Sequence, residues 1–524
     1  MSRGKVWVFF FLILIIFSTP NRYLFAQNEH YLFEKISSSH SNLHFVNEIS
    51  DPNSEAMRKY IYVSNSSGTG VADLNGDGKP DIFFSSNTGE NKLYLNEGGF
   101  KFKDVTAEAG IKGNGTWGTG VCIVDINGDG LLDIYISHSG GFNDIDSLRN
   151  EAYICTGIDA NGIPHYEDRA KELGLDLPGT NTTQVVFFDY DRDGDLDCFV
   201  LNHSRTVYGE RLIAADYKPD TVSKFIGYNM LLRNDFKGGK QHFTNVTKEA
   251  GILNSINNFG LGVVATDFNG DGWPDIYCTS DFAERDYLYI NNHDGTFTET
   301  CTQSMKHISN FSMGVDAADV NNDLMPDLIT VDMLPEDNYH LKMQQLPDNS
   351  DRFNMMIKLG LSSQYSKNCL QLNMGSENGI PKFADIAEMA GMSGTNWSWT
   401  PLFIDVNNDG WKDLFISNGF YKDFVNQDAQ NHYLMNKNEN MNFGPKKLNS
   451  FLFLNNKSLN FTKVESWKAT DLQMSYSACA ADFDNDGNLD IQVVSFSKVT
   501  CAIYVRPAVT VKIGSDYSKP EIVY

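Results

Sequence analysis

A nine-residue acidic motif occurs seven times in this 524-residue chain and constrains the fold more than any other feature. The copies begin at residues 73, 125, 189, 267, 319, 405 and 482, and they read DLNGDGKPD, DINGDGLLD, DYDRDGDLD, DFNGDGWPD, DVNNDLMPD, DVNNDGWKD and DFDNDGNLD. Each copy places an oxygen-bearing side chain at positions 1, 3, 5 and 9, and six of the seven place glycine at position 6. Such self-similarity predicts a repeat architecture, in which each unit covers an apolar face of its neighbour.

The flanks of the motif repeat as well. A short apolar run such as GVCIVD precedes it, and another such as DIYISH follows it. A third pattern, KLYLNEGGFKFKDVTAEAGI at residues 92–111, predicts two further strands and a short helical turn. One unit is therefore four short strands with the acidic loop between the first and the second. Seven such units predict an all-β fold, a seven-bladed β-propeller of four-stranded blades with calcium-binding loops, over residues 30–505, with residues 506–524 unassigned.

The two ends of the chain are expected to meet in the last blade. This unit has strand candidates at residues 476–482, 491–496 and 501–505, but no fourth strand follows them. The stretch HYLFEKISSS, near the start of the chain, resembles the missing strand. We therefore expect residues 32–37 to complete the final blade and close the ring.

The oxygen-bearing positions of each motif match the needs of a calcium ion. Calcium is a hard cation that takes six to eight oxygen ligands from carboxylates, amides and backbone carbonyls. Position 7 can add a backbone carbonyl, and glycine at position 6 permits the positive φ of a sharp turn. We predict up to seven Ca²⁺ sites, with the side-chain ligands Asp73, Asn75, Asp77, Asp81, Asp125, Asn127, Asp129, Asp133, Asp189, Asp191, Asp193, Asp197, Asp267, Asn269, Asp271, Asp275, Asp319, Asn321, Asp323, Asp327, Asp405, Asn407, Asp409, Asp413, Asp482, Asp484, Asp486 and Asp490.

Three alternatives to a strand–loop–strand calcium site exist for the same residues. A plain turn rich in Asp and Asn needs no metal, but it needs only one or two such residues and not four at fixed alternation. An EF-hand is excluded because its glutamate at position 12 is replaced by apolar residues within β-like runs, such as Phe84, Ile136 and Val200. Magnesium is disfavoured because it prefers few protein ligands and retained waters.

The seven motifs are not equivalent. The third and the seventh carry four aspartates, whereas the other five have asparagine at position 3. The fifth has Leu324 where glycine is expected, which predicts a strained turn and the weakest site.

The overall negative charge of the chain favours the binding of cations. The formal net charge is −25. Nucleic acid and anionic membrane surfaces repel so acidic a chain, and neither is expected as the main partner.

Residues 1–26 are interpreted as a signal peptide. Arg3 and Lys5 precede an apolar run at residues 6–17 that is shorter than a membrane span, and a cleavage point follows Ala26. An uncleaved anchor is the alternative. Because the sequence holds no second long apolar run, we expect a mature chain without a membrane span that is exported, whether secreted, periplasmic or at the cell surface. Its oligomeric state stays open.

The chain holds eight cysteines. The cysteines form no CxxC pair, so buried free thiols are expected, and one or two disulfides are the alternative for an exported protein.

Insertions near residues 203–230, 333–367 and 419–447 are interpreted as loops or short helices that leave the disc. Decoration is the simpler interpretation of these segments, and ligand binding is the alternative.

The motifs and their flanks resemble FG-GAP/VCBS-type repeats. The resemblance is carried by stretches such as VFFDYDRDGDLD, LGVVATDFNGDGWPDIY and NWSWTPLFIDVNNDGWKDLF, with Trp117-Gly118 and Phe259-Gly260 at the start of a unit. Such repeats form the calcium-binding propeller also seen in integrin α-chains, and the chain is most similar to exported bacterial proteins of the cartilage-acidic-protein-like (ASPIC/UnbV) group. Residues 497–524 do not match the C-terminal domain of larger members. The resemblance implies adhesion or ligand binding without an assigned chemistry.

The ligand is expected to be a protein or a glycan. Five aromatic side chains at the start of the first strands would gather on one face, either as a sugar or peptide platform or as packing between blades: Trp117, Phe259, Phe311, Trp397 and Trp399. The sequence shows no Gly-x-Ser-x-Gly nucleophile elbow or phosphate loop, and its 11 histidines are scattered. We therefore expect a binding module and no enzyme, with a polysaccharide lyase or hydrolase as the alternative.

Overall fold

The computed structural model of the chain describes residues 32–47, 49, 62, 67–140, 148–204, 228–237, 240–255, 258–282, 284–344, 350–420, 426–428, 431, 447–465, 467, 474–495 and 501–506. The expected signal peptide at residues 1–26 lies outside the described residues. So do residues 507–524 of the unassigned tail and most of the insertions near 203–230 and 419–447.

Seven four-stranded antiparallel sheets form the blades of a β-propeller, which confirms the predicted all-β, seven-bladed architecture. In each blade the first strand lies innermost, next to the first strands of the neighbouring blades. The first strands are Thr69–Ala72, Trp117–Val124, Thr182–Phe188, Gly260–Thr266, Val315–Ala318, Ser398–Ile404 and Ser475–Ala481. The second strands are Asp81–Phe84, Asp133–Ser139, Asp197–Asn202, Asp275–Ser280, Asp327–Thr330, Asp413–Asn418 and Asp490–Ser495.

The two outer strands complete each blade toward the rim. The third strands are Lys92–Gly98, Glu151–Ile158, Met230–Lys237, Tyr287–Asn291, Cys369–Glu377, Phe451–Asn455 and Ala502–Val505. The fourth strands are Lys101–Asp104, Pro164–Asp168, Lys240–Asn245, Phe297–Glu299, Ile380–Asp385, Phe461–Lys463 and, from the start of the chain, Glu34–Ile36.

The seventh blade closes the ring with strands from both ends of the chain. Glu34–Ile36 pairs antiparallel with Ala502–Val505, and Glu34 lies opposite Val505. Phe33 is fully buried beside this strand, with its ring 5.9 Å from that of Trp467. The expectation that an N-terminal strand completes the last blade is therefore confirmed.

Burial explains why the blades need one another. Every residue of the seven second strands is buried, because each of these strands is covered on both faces by neighbouring blades. An apolar cluster fills each of the seven interfaces between blades. A single four-stranded sheet cannot bury both of its faces, so stability comes from the closed ring.

Helices are short and peripheral among the described residues. Four of them follow a fourth strand, as the predicted helical turns do: Ser38–Ser41, Ala170–Leu173, Cys301–Ser304 and Ala387–Ala390. The insertion of the fifth blade adds the helices Asn338–Met343 and Ser350–Lys358, and it forms a short parallel pair between Ile308–Ser309 and Gln364–Tyr365. Within the described part of the chain, no helix combines the length and apolarity that crossing a membrane requires.

All eight cysteines are free thiols, and six of them are buried. The expectation of free thiols, mostly buried, is confirmed over the alternative of disulfides.

Candidate metal centres

The seven acidic motifs form the loops between the first and second strands, one per blade. In the first loop the Asp73 carboxylate accepts hydrogen bonds from the backbone amides of Asp77 at 3.0 Å and Gly78 at 2.8 Å. Asp77 in turn accepts one from the Lys79 amide at 3.0 Å. These contacts fold the backbone around its own side-chain oxygens, and the other loops repeat most of them. The carboxylates at positions 1 and 5 are thereby held against the backbone amides of their own loop.

Two residues of each loop have a left-handed backbone. Position 4 is occupied by Gly, Asn or Arg, and position 6 by glycine in six loops. Leu324, at position 6 of the fifth loop, has a φ of 71° and is 93 % exposed. The backbone amide of Leu324 still donates to Asp319 at 2.7 Å, so this loop closes like the others. Leu324 therefore adopts the left-handed backbone conformation, which is unfavourable for a residue with a side chain. The strained turn predicted for the fifth loop is therefore present at Leu324.

The aspartate at position 9 is buried and ties each loop to the rest of its blade. In the first blade the Asp81 carboxylate accepts hydrogen bonds from the amides of Leu74 at 2.9 Å and Asn96 at 2.8 Å. Burial is the main cause that raises the pKa of these carboxyls, and the nearby loop aspartates raise it further, against the effect of the amides. The pKa is about 6 for Asp133, Asp327 and Asp413, about 7 for Asp81, Asp275 and Asp490, and about 8 for Asp197.

The third and seventh loops show the clearest fit to a cation. One oxygen each of Asp189, Asp191 and Asp197 lies within 4.8 Å of the others, and Asp482, Asp484 and Asp490 repeat the arrangement. Oδ1 of Asp191 and Oδ1 of Asp484 are buried and have no hydrogen-bond partner. A buried carboxylate oxygen without a partner is costly, and a hard cation among these oxygens would remove that cost.

The other five loops satisfy part of their own charge. Their asparagine at position 3 lowers the charge by one, and in three loops it donates to the aspartate at position 5: Asn127 to Asp129, Asn269 to Asp271 and Asn321 to Asp323, at 2.7–2.9 Å. Cationic side chains also approach position 5, with Lys79 at 2.7 Å from Asp77 and Lys457 at 3.3 Å from Asp409. We infer that these five loops attract a cation less strongly than the third and the seventh.

An asparagine on the third strand is a part of the loop structure that motif analysis missed. Nδ2 of Asn291 donates to the carbonyl of Tyr190 in the preceding blade's loop at 2.8 Å, while its amide donates to Asp275 at 2.9 Å. Asn96, Asn373 and Asn455 make the same two kinds of contact in their blades. The recurrence of this residue in YLNEG, YINNH, QLNMG and FLNNK was the available signal.

The five aromatic side chains at the starts of the first strands do not form an exposed platform. Trp117, Phe259, Phe311 and Trp397 are buried, and Trp397 stacks on Phe420 with ring centroids 3.9 Å apart. Trp399 is half-buried and lines a central cavity of about 230 Å³. Packing is therefore the main role of these side chains.

A mixed cluster on the fifth blade was not foreseen from the sequence. His307, Cys369 and Asp385 bring their ligand atoms within 4.8 Å of one another. The Lys367 ammonium already lies 2.8 Å from the Asp385 carboxylate, and His307 Nε2 lies 2.7 Å from it. The positive charge that this carboxylate needs is thus supplied by the protein itself.

Comparison with known proteins agrees with the repeat structure. A model of the FG-GAP-like repeat matches residues 73–136 and 267–330. Cartilage acidic protein 1 of Mus musculus is 25 % identical over 211 residues, which is 40 % of this chain and 28 % of that protein. The proteins of the same name from Xenopus tropicalis and Homo sapiens are 24 % and 25 % identical over 211 residues, 40 % of this chain and 28 % and 27 % of those proteins. The match thus spans less than a third of the length of these relatives.

A solved structure gives a weaker likeness. The crystal structure of BBS1N in complex with ARL6DN, soaked with mercury, aligns over 86 % of this chain and 96 % of that chain, at 9 % identity and a TM-score of 0.36.

Proposed function

This chain carries FG-GAP-like repeats on a seven-bladed β-propeller, and on that premise we propose that it is an exported calcium-binding module that adheres to a protein or glycan ligand. The observation that carries the proposal is the convergence of aspartate oxygens in the third and seventh loops, where Asp191 and Asp484 each keep a buried oxygen without a partner. Export rests on the basic and apolar pattern of residues 1–26.

Bound calcium would act on the scaffold. The ion supplies positive charge to carboxylates that otherwise repel one another. The protein's own contribution is the folded loop, in which backbone amides orient the carboxylates before any ion arrives. Because position 9 is bonded to the third strand, an ordered loop also stiffens the blade behind it.

Recognition is proposed for the insertion of the fifth blade. Of the ten exposed large apolar side chains among the described residues, five lie between residues 339 and 365: Tyr339, Leu341, Met355, Ile357 and Tyr365. Exposed apolar groups of this kind mark protein-binding surfaces. Leu341, Met355 and Ile357 offer no hydrogen bonds to the hydroxyl groups of a sugar. A protein is therefore favoured over a glycan as the ligand.

Arrays of proteins and glycans, probed with the calcium-loaded chain, test this proposal. We expect saturable binding to a protein, weakened at least tenfold by Leu341→Ser together with Ile357→Ser. Ile158→Ser is the matched control, because Ile158 is a similarly exposed apolar residue on the second blade. Equal binding by both variants would overturn the assignment to this insertion.

A second candidate function is hydrolysis, and one contact chain favours it. Oγ1 of Thr116 lies 2.8 Å from Nδ1 of His138, and Nε2 of His138 lies 3.0 Å from a Glu151 oxygen. A hydroxyl, an imidazole and a carboxylate in this order resemble the arrangement of acyl-transfer enzymes. The His138 and Glu151 side chains are only 2 % and 3 % exposed, which favours a structural role.

Turnover of ester-bearing polysaccharides separates the two functions. Hydrolysis that is lost on Thr116→Val but kept on Thr156→Val, a hydroxyl on the same blade outside this contact chain, would support the enzyme. Saturable binding without turnover would support the module.

A further inference from the structure

Side chains at position 4 join neighbouring acidic loops. Nδ2 of Asn408 donates to the carbonyl of Gly487 in the next loop at 2.9 Å, and Nδ2 of Asn485 donates to that of Gly78 at 3.1 Å. Nδ2 of Asn322 donates to the carbonyl of Gly410 at 3.2 Å. In every case the acceptor is position 6 of the following loop. The fifth, sixth, seventh and first loops are thereby joined in one continuous arc.

The arc ends where glycine occupies position 4. Gly76, Gly128 and Gly270 have no side chain to offer, so three junctions between loops lack this bond. The remaining junction, from the third loop to the fourth, is made by the Arg192 guanidinium on the carbonyl of Gly272. A Cβ added at any of these three glycines would meet open space, so nothing nearby prevents a side chain there.

Each bridge connects backbone next to predicted ligands in both loops. Asn408 immediately precedes Asp409, a predicted ligand of the sixth loop. The Gly487 carbonyl shares its peptide plane with the backbone amide of Asn488, which donates to Asp486, a predicted ligand of the seventh loop, at 2.8 Å. One hydrogen bond thus connects the ligand-bearing backbones of two neighbouring loops.

A second set of contacts also joins the loops of the arc, and it recurs at the junctions from the third loop to the fourth and from the fourth to the fifth. Nδ2 of Asn455 donates to Val320 of the fifth loop at 2.8 Å, the Arg506 guanidinium donates to Val406 of the sixth, and Nδ2 of Asn96 donates to Phe483 of the seventh at 2.9 Å. The amides of these three residues donate to the position 9 aspartates of their own blades. Each of the three junctions in the arc therefore has two side-chain links.

We propose that the fifth, sixth, seventh and first loops load calcium cooperatively, with Asn322, Asn408 and Asn485 as the residues that couple them. The proposal rests on the proposed calcium binding and adds a mechanism to it. An ion that orders one loop fixes the backbone that its neighbour must also order, and the second ion binds with a smaller entropic cost. The second and fourth loops have no position 4 bond to the arc. The fourth is linked to the fifth blade through Asn373, so we expect its loading to depend on the arc less strongly.

Two tryptophans allow individual loops to be followed. Trp411 is at position 7 of the sixth loop and Trp273 is at position 7 of the fourth. Terbium(III), used as a luminescent stand-in for calcium, is sensitised by a nearby tryptophan. In a Trp273→Phe background the signal reports the sixth loop, and in a Trp411→Phe background it reports the fourth.

Asn322→Gly is the first variant to measure at Trp411. It changes no predicted ligand, and glycine is the residue that three other loops have at this position. We expect the terbium concentration for half-loading of the sixth loop to rise about fivefold, which is the equilibrium effect of one lost hydrogen bond. Gly76→Asn is the converse variant and should strengthen loading of the second loop, followed by calcium calorimetry.

A double-mutant cycle separates coupling from a local effect. Asp486→Asn weakens the seventh loop, and we expect it to weaken loading at Trp411 with Asn408 present and to have no such effect in Asn408→Gly. The signal at Trp273 should respond less to Asp486→Asn than the signal at Trp411 does. Normal terbium loading with no response of Trp411 to Asn322→Gly or Asp486→Asn would overturn the coupling, whereas no metal-dependent signal in the unmodified chain would overturn calcium binding itself.

Discussion

Asn485 and Gly78 lie 407 residues apart in sequence, yet Nδ2 of Asn485 is 3.1 Å from the Gly78 carbonyl oxygen. This bond joins the last acidic loop to the first at the junction where the ring closes. The same junction holds a bond from Thr69 to Gln492 at 3.0 Å and one from Ser477 to the Ser67 carbonyl at 2.8 Å. Closure of the propeller therefore depends on side chains as well as on the strand that the start of the chain supplies.

The N-terminal strand predicts a large effect of Phe33. Its ring is fully buried between the sixth and seventh blades, against Trp467. Phe33→Ala should lower the free energy of unfolding by about 3–5 kcal/mol, because it removes a buried ring beside the strand that completes the seventh blade. Urea denaturation measures this, with exposed Glu34→Ala as a control near zero. A loss below about 1 kcal/mol would show that the closing strand contributes little.

Leu324 offers a stabilising substitution. Its φ of 71° suits glycine, and its side chain is almost wholly exposed, so Leu324→Gly removes strain and loses no packing. We expect the free energy of unfolding to rise by about 0.5–1 kcal/mol, since the relief of left-handed strain exceeds the added flexibility of the unfolded chain. Leu324→Ala keeps the Cβ and should show no gain. A gain for both variants would point to the loss of the exposed side chain rather than of strain.

His203 predicts a dependence of stability on pH. It is buried with Nδ1 2.8 Å from the Ser204 carbonyl, and burial lowers its pKa to about 4, although the contact with Ser204 raises it. The unfolded chain therefore binds the proton more tightly than the folded one between pH 6.5 and 4. Above pH 6.5 His203 is neutral in both states and does not change the free energy of unfolding. As the pH falls from 6.5 to 4, protonation of the unfolded chain lowers the free energy of unfolding by about 3 kcal/mol.

Comparison with His203→Asn isolates this effect, because asparagine can keep the donor to Ser204 but does not titrate. Urea denaturation at several pH values should give a shallower fall below pH 6.5 for the variant. Parallel curves for the two proteins would exclude His203 as a cause.

The features of this fold that could be predicted from the sequence are those that depend on local repeats. The motif spacing predicts the seven blades, and the alternating carboxylates predict the acidic loops between the first and second strands. Asn291 was missed, since an asparagine beside a turn is common and its partner Tyr190 lies in another blade. The bridge from Asn408 to Gly487 was missed for the same reason, because the approach of two loops depends on how the blades pack.

Asn291 and Asn292 provide a matched pair for testing this contact. Asn291 is buried and bonds across the blade interface, whereas its neighbour Asn292 is exposed and bonds within its own hairpin. Asn291→Ala should cost about 1–3 kcal/mol of unfolding free energy, because it leaves the Tyr190 carbonyl without this donor. Asn292→Ala should cost less than about 0.5 kcal/mol. Equal effects in urea denaturation would refute a special role for the buried asparagine.

Thermal unfolding with and without calcium tests the central claim most directly. When the free calcium concentration is one hundred times the dissociation constant of a site, binding at that site stabilises the folded chain by about 2.7 kcal/mol. Removal of calcium from several loops should therefore lower Tm markedly. We predict a lower Tm in EDTA, recovery on adding calcium in excess, and weak recovery with magnesium. Asp191→Asn together with Asp484→Asn should reduce the recovery. A melting curve that EDTA leaves unchanged would contradict the assignment of these loops to calcium.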